Sequence, residues 1–126
     1  MRTLVCVVLI GAACLAQSPE LKQVTWTGWF ADAGCGNGRF SSAAFTPPNP
    51  ECAKQCIQKG IAPIFLSEQA RTEFQVKGYS GVVENLGYRL EVTGKVDDAA
   101  KIISITSVKR ISEYQGPACA RPKKRP

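Results

Sequence analysis

The amino-acid sequence predicts a mainly β protein, a small five-stranded barrel with one short α-helix between its first and second strands. Three observations favour this fold class. Segments in which apolar and polar residues alternate recur along the chain, as strands with two different faces require. Two of these segments contain interior glycines, which favour short curved strands and a closed or nearly closed barrel over a flat sheet. One short segment carries the start and stop signals of a helix.

The first predicted strand is VTWTGWFADAG, residues 24–34. Its period of two, with β-branched and aromatic residues, is typical of a strand. Trp26 falls on one face and Trp29 on the other, so we expect both faces to be at least partly covered. The Gly, Ser, Asn and Pro-rich residues 35–50 predict a loop.

The helix is predicted in NPECAKQCIQKG, residues 49–60. Asn49 can cap it, Pro50 suits the first helical position, and Gly60 supplies the stop. A helix of about ten residues is unstable alone. We therefore expect it to pack against the barrel.

Four strands are predicted after the helix. The segment APIFLSEQARTEFQVKG, residues 62–78, reads as two strands joined by a turn at 67–71. In LGYRLEVTGKVD, residues 86–97, Gly94 interrupts the apolar row and predicts a bulge. In KIISITSVKRI, residues 101–111, a change of phase predicts a second irregularity near Ser107.

The N-terminus, MRTLVCVVLIGAACLAQSPE, has the layout of a secretory signal peptide: a lone Arg, a short apolar run and small residues. We expect cleavage after Ala16, with residues 1–16 removed and the mature protein periplasmic or extracellular. An alternative is lipid attachment at Cys14. The barrel domain is predicted over residues 21–115, followed by a basic tail at 116–126. No segment of the mature chain is long and apolar enough to span a membrane.

The formal net charge of +6 belongs mostly to the chain ends. Residues 17–120 carry 11 basic and 10 acidic side chains, so the folded body is almost neutral. The terminal RPKKRP, residues 121–126, is basic and Pro-containing, a composition typical of a solubilising end. We expect no specific nucleic-acid partner. An envelope component, or an anionic polymer bound through the tail, is the partner that this pattern allows.

The chain contains no histidine, which excludes the Ser-His-Asp and Cys-His nucleophile arrangements and imidazole metal sites. The carboxylates are scattered, and GCGNG, residues 34–38, lacks the context of a phosphate-binding loop. The sequence therefore predicts a protein that is not an enzyme and that uses no cofactor.

The cysteines of the mature chain are Cys35, Cys52, Cys56 and Cys119. An even number in an oxidising compartment favours two disulfides, with Cys35–Cys56 and Cys52–Cys119 as the preferred pairing, although spacing alone leaves the three pairings open. One alternative is a Cu(I) or Zn(II) site built from the thiolates of Cys35, Cys52 and Cys56. Another is thiol–disulfide redox chemistry at Cys52, in the first turn of the helix.

The segments TWTGWFADAGCG, ECAKQCIQKGIAPIFL, YRLEVTGKVDD and IISITSVKRI together resemble the DUF5818 family of small exported bacterial proteins of unknown function. The resemblance spans about residues 25–111. It implies an oligonucleotide/oligosaccharide-binding-like (OB-like) barrel in the cell envelope, with no established activity. Members often carry a His in the loop after Cys-Gly, and its absence here weakens the metal alternative.

An OB-like barrel usually binds its ligand on an open strand face, where aromatic side chains stack on the ligand. The aromatic candidates for such a face are Trp26, Trp29, Tyr79 and Tyr88, all of which could equally pack the core or the barrel ends. The sequence thus predicts a disulfide-stabilised, non-catalytic binding or structural module of the envelope.

Overall fold

The computed structural model describes the chain at Ser18, residues 20–36 and residues 49–113. The predicted signal peptide, the basic tail and Cys119 lie outside these residues. The strands of the barrel begin at Lys22 and end at Glu113.

The described residues form five strands and two helices. The elements are β1 (Lys22–Asp32), α1 (Ala33–Gly36), α2 (Pro50–Gln58), β2 (Pro63–Ser67), β3 (Thr72–Lys77), β4 (Tyr88–Asp97) and β5 (Ile102–Glu113). A 3-10 turn at Val83–Asn85 lies in the connection between β3 and β4.

The five strands close into a barrel in the order β1-β2-β3-β5-β4, with β4 returning to β1. Every pairing is antiparallel except that of β3 with β5. The predicted fold class, a five-stranded OB-like barrel with a short helix between the first two strands, is therefore confirmed. Strand β1 pairs with β4 through its first half and with β2 through its second, and Gly28 is the residue common to both pairings.

The two irregularities predicted at Gly94 and near Ser107 are a single bulge. Gly94 pairs with Ile105 and Thr93 with Ser107, so Thr106 is the extra residue on β5. A second bulge makes Ile111 an extra residue as well, because Arg110 and Ser112 pair with neighbouring residues of β4. As the extra residue of this bulge, Ile111 turns out of the inward row and is 45% exposed.

The core fills the barrel and extends beneath α2. Its inner cluster combines alternate residues of all five strands, among them Phe30, Phe65, Phe74, Leu90 and Ile103. The helix contributes Ala53, which is fully buried, and Ile57 packs against the same cluster. Since these residues lie four apart, they face the same side of the helix. Their packing against the barrel stabilises α2, which is too short to be stable alone.

Both predicted ends of α2 are confirmed. The Asn49 side chain accepts hydrogen bonds from the backbone N–H groups of Glu51 and Cys52, at 2.9 and 3.1 Å. At the other end, Gly60 has φ +96°, a conformation that side chains rarely adopt.

Membrane-spanning helices are absent from the described part of the chain, where every helix is too short or too polar to cross a bilayer.

Candidate binding groove and barrel mouth

A groove crosses the outer surface of β2 and β3. Because Phe65 and Phe74 point into the barrel, their neighbours Ile64, Glu73 and Gln75 point outward. The groove has a volume of about 420 Å³ and is bounded by the segments after β1 and before β2 on one side and by the β4–β5 turn on the other. Its lining residues are Ala33, Ala62, Ile64, Thr72, Glu73, Gln75, Ala100 and Lys101.

The floor of the groove is continuous with a small apolar cluster outside the barrel. Ile64 belongs to this cluster together with Ala31 and Leu66, and Ala33 packs against it. Ala31 and Leu66 have no exposed surface, and Ile64 is 5% exposed. Because these side chains are packed together, they form a fixed apolar floor on the outer surface of β1 and β2. The polar residues of β3 lie beside this floor.

The β4–β5 turn that borders the groove is tied to β3. The backbone N–H of Gln75 donates to the carbonyl oxygen of Lys101 at 2.8 Å. Within the turn, the Asp97 side chain accepts from the N–H of Ala100 at 3.0 Å. Lys101 has φ +54°, so its backbone lies in the left-handed region. The turn therefore presents the Lys101 side chain from a fixed backbone.

A second cavity, the mouth pocket, opens at the end of the barrel where β1 begins. It has a volume of about 310 Å³ and shares Thr72 and Lys101 with the groove. Trp26 lines it and also packs on the core, with its ring centroid 5.2 Å from that of Phe74. The remaining lining residues are Lys22, Ala70, Val96 and Asp98.

The rim of the mouth pocket carries interacting charges. Lys101 Nζ lies 2.7 Å from Asp98 Oδ1 and 5.6 Å from the centroid of the Phe74 ring. The hydrogen bond from Lys101 lowers the pKa of Asp98, with smaller Coulombic contributions from Lys101 and Lys22. The Asp98 carboxylate thus interacts with the ammonium groups of Lys101 and Lys22, which line the same pocket.

The opposite end of the barrel is closed by a hydrogen-bond network. The Asn85 amide nitrogen donates to Tyr79 Oη at 2.9 Å and to the Gly81 carbonyl at 2.8 Å. Its oxygen accepts from Arg110 Nε at 2.8 Å. The Arg110 guanidinium also lies 4.1 Å from the centroid of the Tyr88 ring. This network fastens the β3–β4 connection across the barrel end.

The four aromatic candidates consequently do not meet in one site. Trp26 lies at the mouth, while Tyr79 and Tyr88 belong to the closed end, where Tyr79 also packs on Phe30 at 5.8 Å. Trp26 pairs with Val92, four residues from Tyr88 on β4, which corresponds to about 13 Å along the strand. Trp29 is half-buried on the outer face of β1.

The structure describes the two predicted cysteines of α2, Cys52 and Cys56. Cys52 is disulfide-bonded. Cys56 is a free, half-buried thiol, so the preferred pairing of Cys35 with Cys56 is wrong in this structure. The helix turns Ala53 and Ile57 toward the barrel, one position round from the cysteines. The side chains of Cys35 and Cys119 lie outside the description.

The three-thiolate alternative requires a different state of the protein. Cys52 shares its sulfur in a disulfide and is therefore no thiolate ligand while that bond persists. Among the described residues, no three Cys, Asp or Glu side chains are grouped as a metal site.

The sequence analysis missed most groove residues. Thr72, Glu73, Gln75 and Lys101 carry no motif. They converge only because β3 pairs with β5 in parallel, which places the β4–β5 turn beside β3. No local signal in the sequence encodes that pairing.

Comparisons with family models, with curated proteins and with solved structures give no significant match for this chain.

Proposed function

We propose that this protein is an exported, disulfide-stabilised, non-catalytic binding module of the cell envelope, and that its ligand lies along the groove over β2 and β3. The observation that carries the proposal is the position of the groove. In OB-type barrels the outer face of strands 2 and 3, flanked by the β1–β2 and β4–β5 connections, is the surface that takes oligonucleotides and oligosaccharides. Here the groove occupies that surface.

The charge of the groove favours an oligosaccharide over a nucleic acid. Its two charged side chains, Glu73 and Lys101, cancel, and the other polar groups are the neutral Thr72 and Gln75. Nucleic-acid affinity comes largely from cations that neutralise phosphates, and this groove has no surplus of them. Hydroxyl, amide and carboxylate groups on an apolar base suit the hydroxyls of a neutral sugar polymer.

Export and the disulfide support an envelope location. The N-terminal residues 1–16 have the pattern of a signal peptide, and disulfides persist in oxidising compartments. Membership of the DUF5818 family is part of the same proposal. The basic tail at 121–126 would add salt-sensitive adhesion to anionic envelope polymers, separate from the groove.

A direct binding assay tests the proposed function. Purified wild-type protein is sedimented with insoluble cell-wall glycan, and a Glu73→Ala/Gln75→Ala variant is compared with it. We expect the double variant to be retained about tenfold less, because two side chains that can hydrogen-bond the sugar are removed. A Glu91→Ala/Lys95→Ala variant of the outer β4 surface is the matched control. Equal retention of the groove variant and the wild type would contradict groove binding.

Thiol–disulfide exchange is the second candidate, and one observation favours it. The free thiol of Cys56 lies one helical turn from the disulfide-bonded Cys52. Attack of the Cys56 thiolate on that bond would join the two helix sulfurs and release the partner thiol. Trapping of free thiols at graded glutathione ratios tests this: a Cys56→Ser variant must change the apparent reduction potential if exchange occurs.

A further inference from the structure

We propose that the mouth pocket is a second ligand site, which takes a small planar ring carrying a single carboxylate. The pocket lies at the barrel opening, beyond the face of β2 and β3. Its properties do not depend on what the groove binds. Three features of its described residues lead to this ligand: the walls, the charges and the size.

The walls are apolar and include an aromatic ring. Trp26 is half-buried and packs on the core side against Phe74, so part of the indole remains accessible in the pocket. Val96 is 2% exposed and Ala70 packs against the core cluster, which gives the pocket a fixed hydrocarbon lining. An accessible indole in an apolar cavity favours a flat ring that can stack on it.

The rim carries a net charge of one positive unit. Lys22 and Lys101 line the pocket together with one carboxylate, that of Asp98. Asp98 is paired with Lys101 at 2.7 Å, and Lys22 contributes a second ammonium group, so two positive charges face one negative charge. A ligand with one carboxylate completes this set of charges, whereas a dianion would face Asp98.

The pocket is pre-formed by its neighbouring turns. Gln69 anchors the β2–β3 turn on β1: its Oε1 accepts from the N–H of Thr27 at 2.9 Å and its Nε2 donates to Thr27 Oγ1 at 2.7 Å. The N–H of Ala70 donates to Ser67 Oγ at 3.1 Å. Because these bonds hold the wall in place, a ligand would lose little affinity to ordering the site.

The size sets an upper limit on the ligand. A volume of about 310 Å³ lies at the lower end of the range for small-molecule sites and suits one ring with a short substituent. A single-ring carboxylate is therefore the class we assign.

A titration with sodium benzoate tests the proposal. The titration uses the full mature chain, labelled with ¹⁵N and carrying the substitution Trp29→Phe. Because Trp26 is then the one remaining tryptophan, the single indole N–H signal in the spectrum belongs to it. We expect benzoate to shift this signal saturably, together with backbone amides of Lys22, Ala70 and Lys101. Benzyl alcohol, which has the ring without the charge, and acetate, which has the charge without the ring, should each bind at least fivefold more weakly.

Three variants separate this site from the groove and from a general effect of charge. Lys22→Gln, which changes the mouth pocket and leaves the groove lining intact, should weaken benzoate binding about two- to fivefold, as the loss of one exposed ion pair implies. Gln75→Ala, in the groove, and Lys109→Gln, an equal charge change on outer β5, should leave it unchanged. Absence of a saturable shift, equal affinity for benzyl alcohol, or full affinity in Lys22→Gln would overturn the proposal.

Discussion

Closure of the barrel at Gly28 can be tested by replacing this residue with alanine. Strand β1 pairs with both β2 and β4 there, so no space is left above the Cα atom. A Cβ atom would lie 1.9 Å from the carbonyl oxygen of Leu66, and ordinary contact begins at 3.4 Å. Because the obstacle is backbone, the two strands must separate by about 1.5 Å.

The cost of this separation follows from what it disrupts. Overpacking of a core typically costs about 1–3 kcal/mol, and each weakened ladder hydrogen bond adds about 0.5–1.5 kcal/mol. For two such bonds, Gly28→Ala should destabilise the protein by about 3–5 kcal/mol. In a domain of roughly 100 residues this corresponds to a fall in Tm of at least about 12 °C.

Urea denaturation followed by tryptophan fluorescence measures the effect, and Gly60→Ala is the matched control. Gly60 has φ +96° and no atom within 4 Å of a built Cβ, so its substitution costs only backbone strain, about 1–2 kcal/mol. We therefore expect Gly28→Ala to lower the free energy of unfolding more than Gly60→Ala does. A Gly28→Ala protein within about 1 kcal/mol of the wild type would refute the reasoning about barrel closure.

Four further outcomes are expected. Asn85→Ala should lower the free energy of unfolding by about 2 kcal/mol in urea denaturation, since it strips partners from the part-buried network at the closed end; no change would mean that this network is dispensable. In an NMR titration the folded-state pKa of Asp98 should lie below its ordinary value and return toward it in Lys101→Gln. The pair's small contribution to stability is therefore present above the ordinary pKa of Asp and lost as the pH falls through the lower folded pKa; identical titration in both proteins would contradict the pairing. Denaturing alkylation without reductant, followed by peptide mass analysis, should label Cys56 and spare Cys52; the reverse pattern would overturn the cysteine assignment. Deletion of residues 121–126 should abolish low-salt retention on an anionic column, and equal retention would exclude the tail as the adhesive segment.

The strands and the helix were predictable because their signals are local. The alternation in β4 fixes which side chains face the barrel, and the cap at Asn49 with the stop at Gly60 fixes α2. The bulge at Thr106 was visible only indirectly, as a glycine on one strand and a change of phase on the other. Bulges belong to a pair of strands, so a single segment shows half of each.

The sites were less predictable because they depend on which strands become neighbours. Aromatic residues were reasonable candidates, yet Tyr79 and Tyr88 hold the closed end through Asn85 and Arg110. The groove instead uses ordinary polar residues of β3 and a turn some 26 residues further along the chain, brought beside it by the parallel pairing with β5. Neither spacing nor composition carries that information.

The most direct test of the central claim is a map of backbone amide shifts in the ¹⁵N-labelled mature protein, titrated with soluble cell-wall glycan strands. Binding along the groove predicts saturable shifts confined to residues 33, 62–64, 72–75 and 100–101, which line or border it. The same titration of the Glu73→Ala/Gln75→Ala variant should need about tenfold more ligand. Shifts located elsewhere on the barrel, or no shifts at all, would contradict the proposed function.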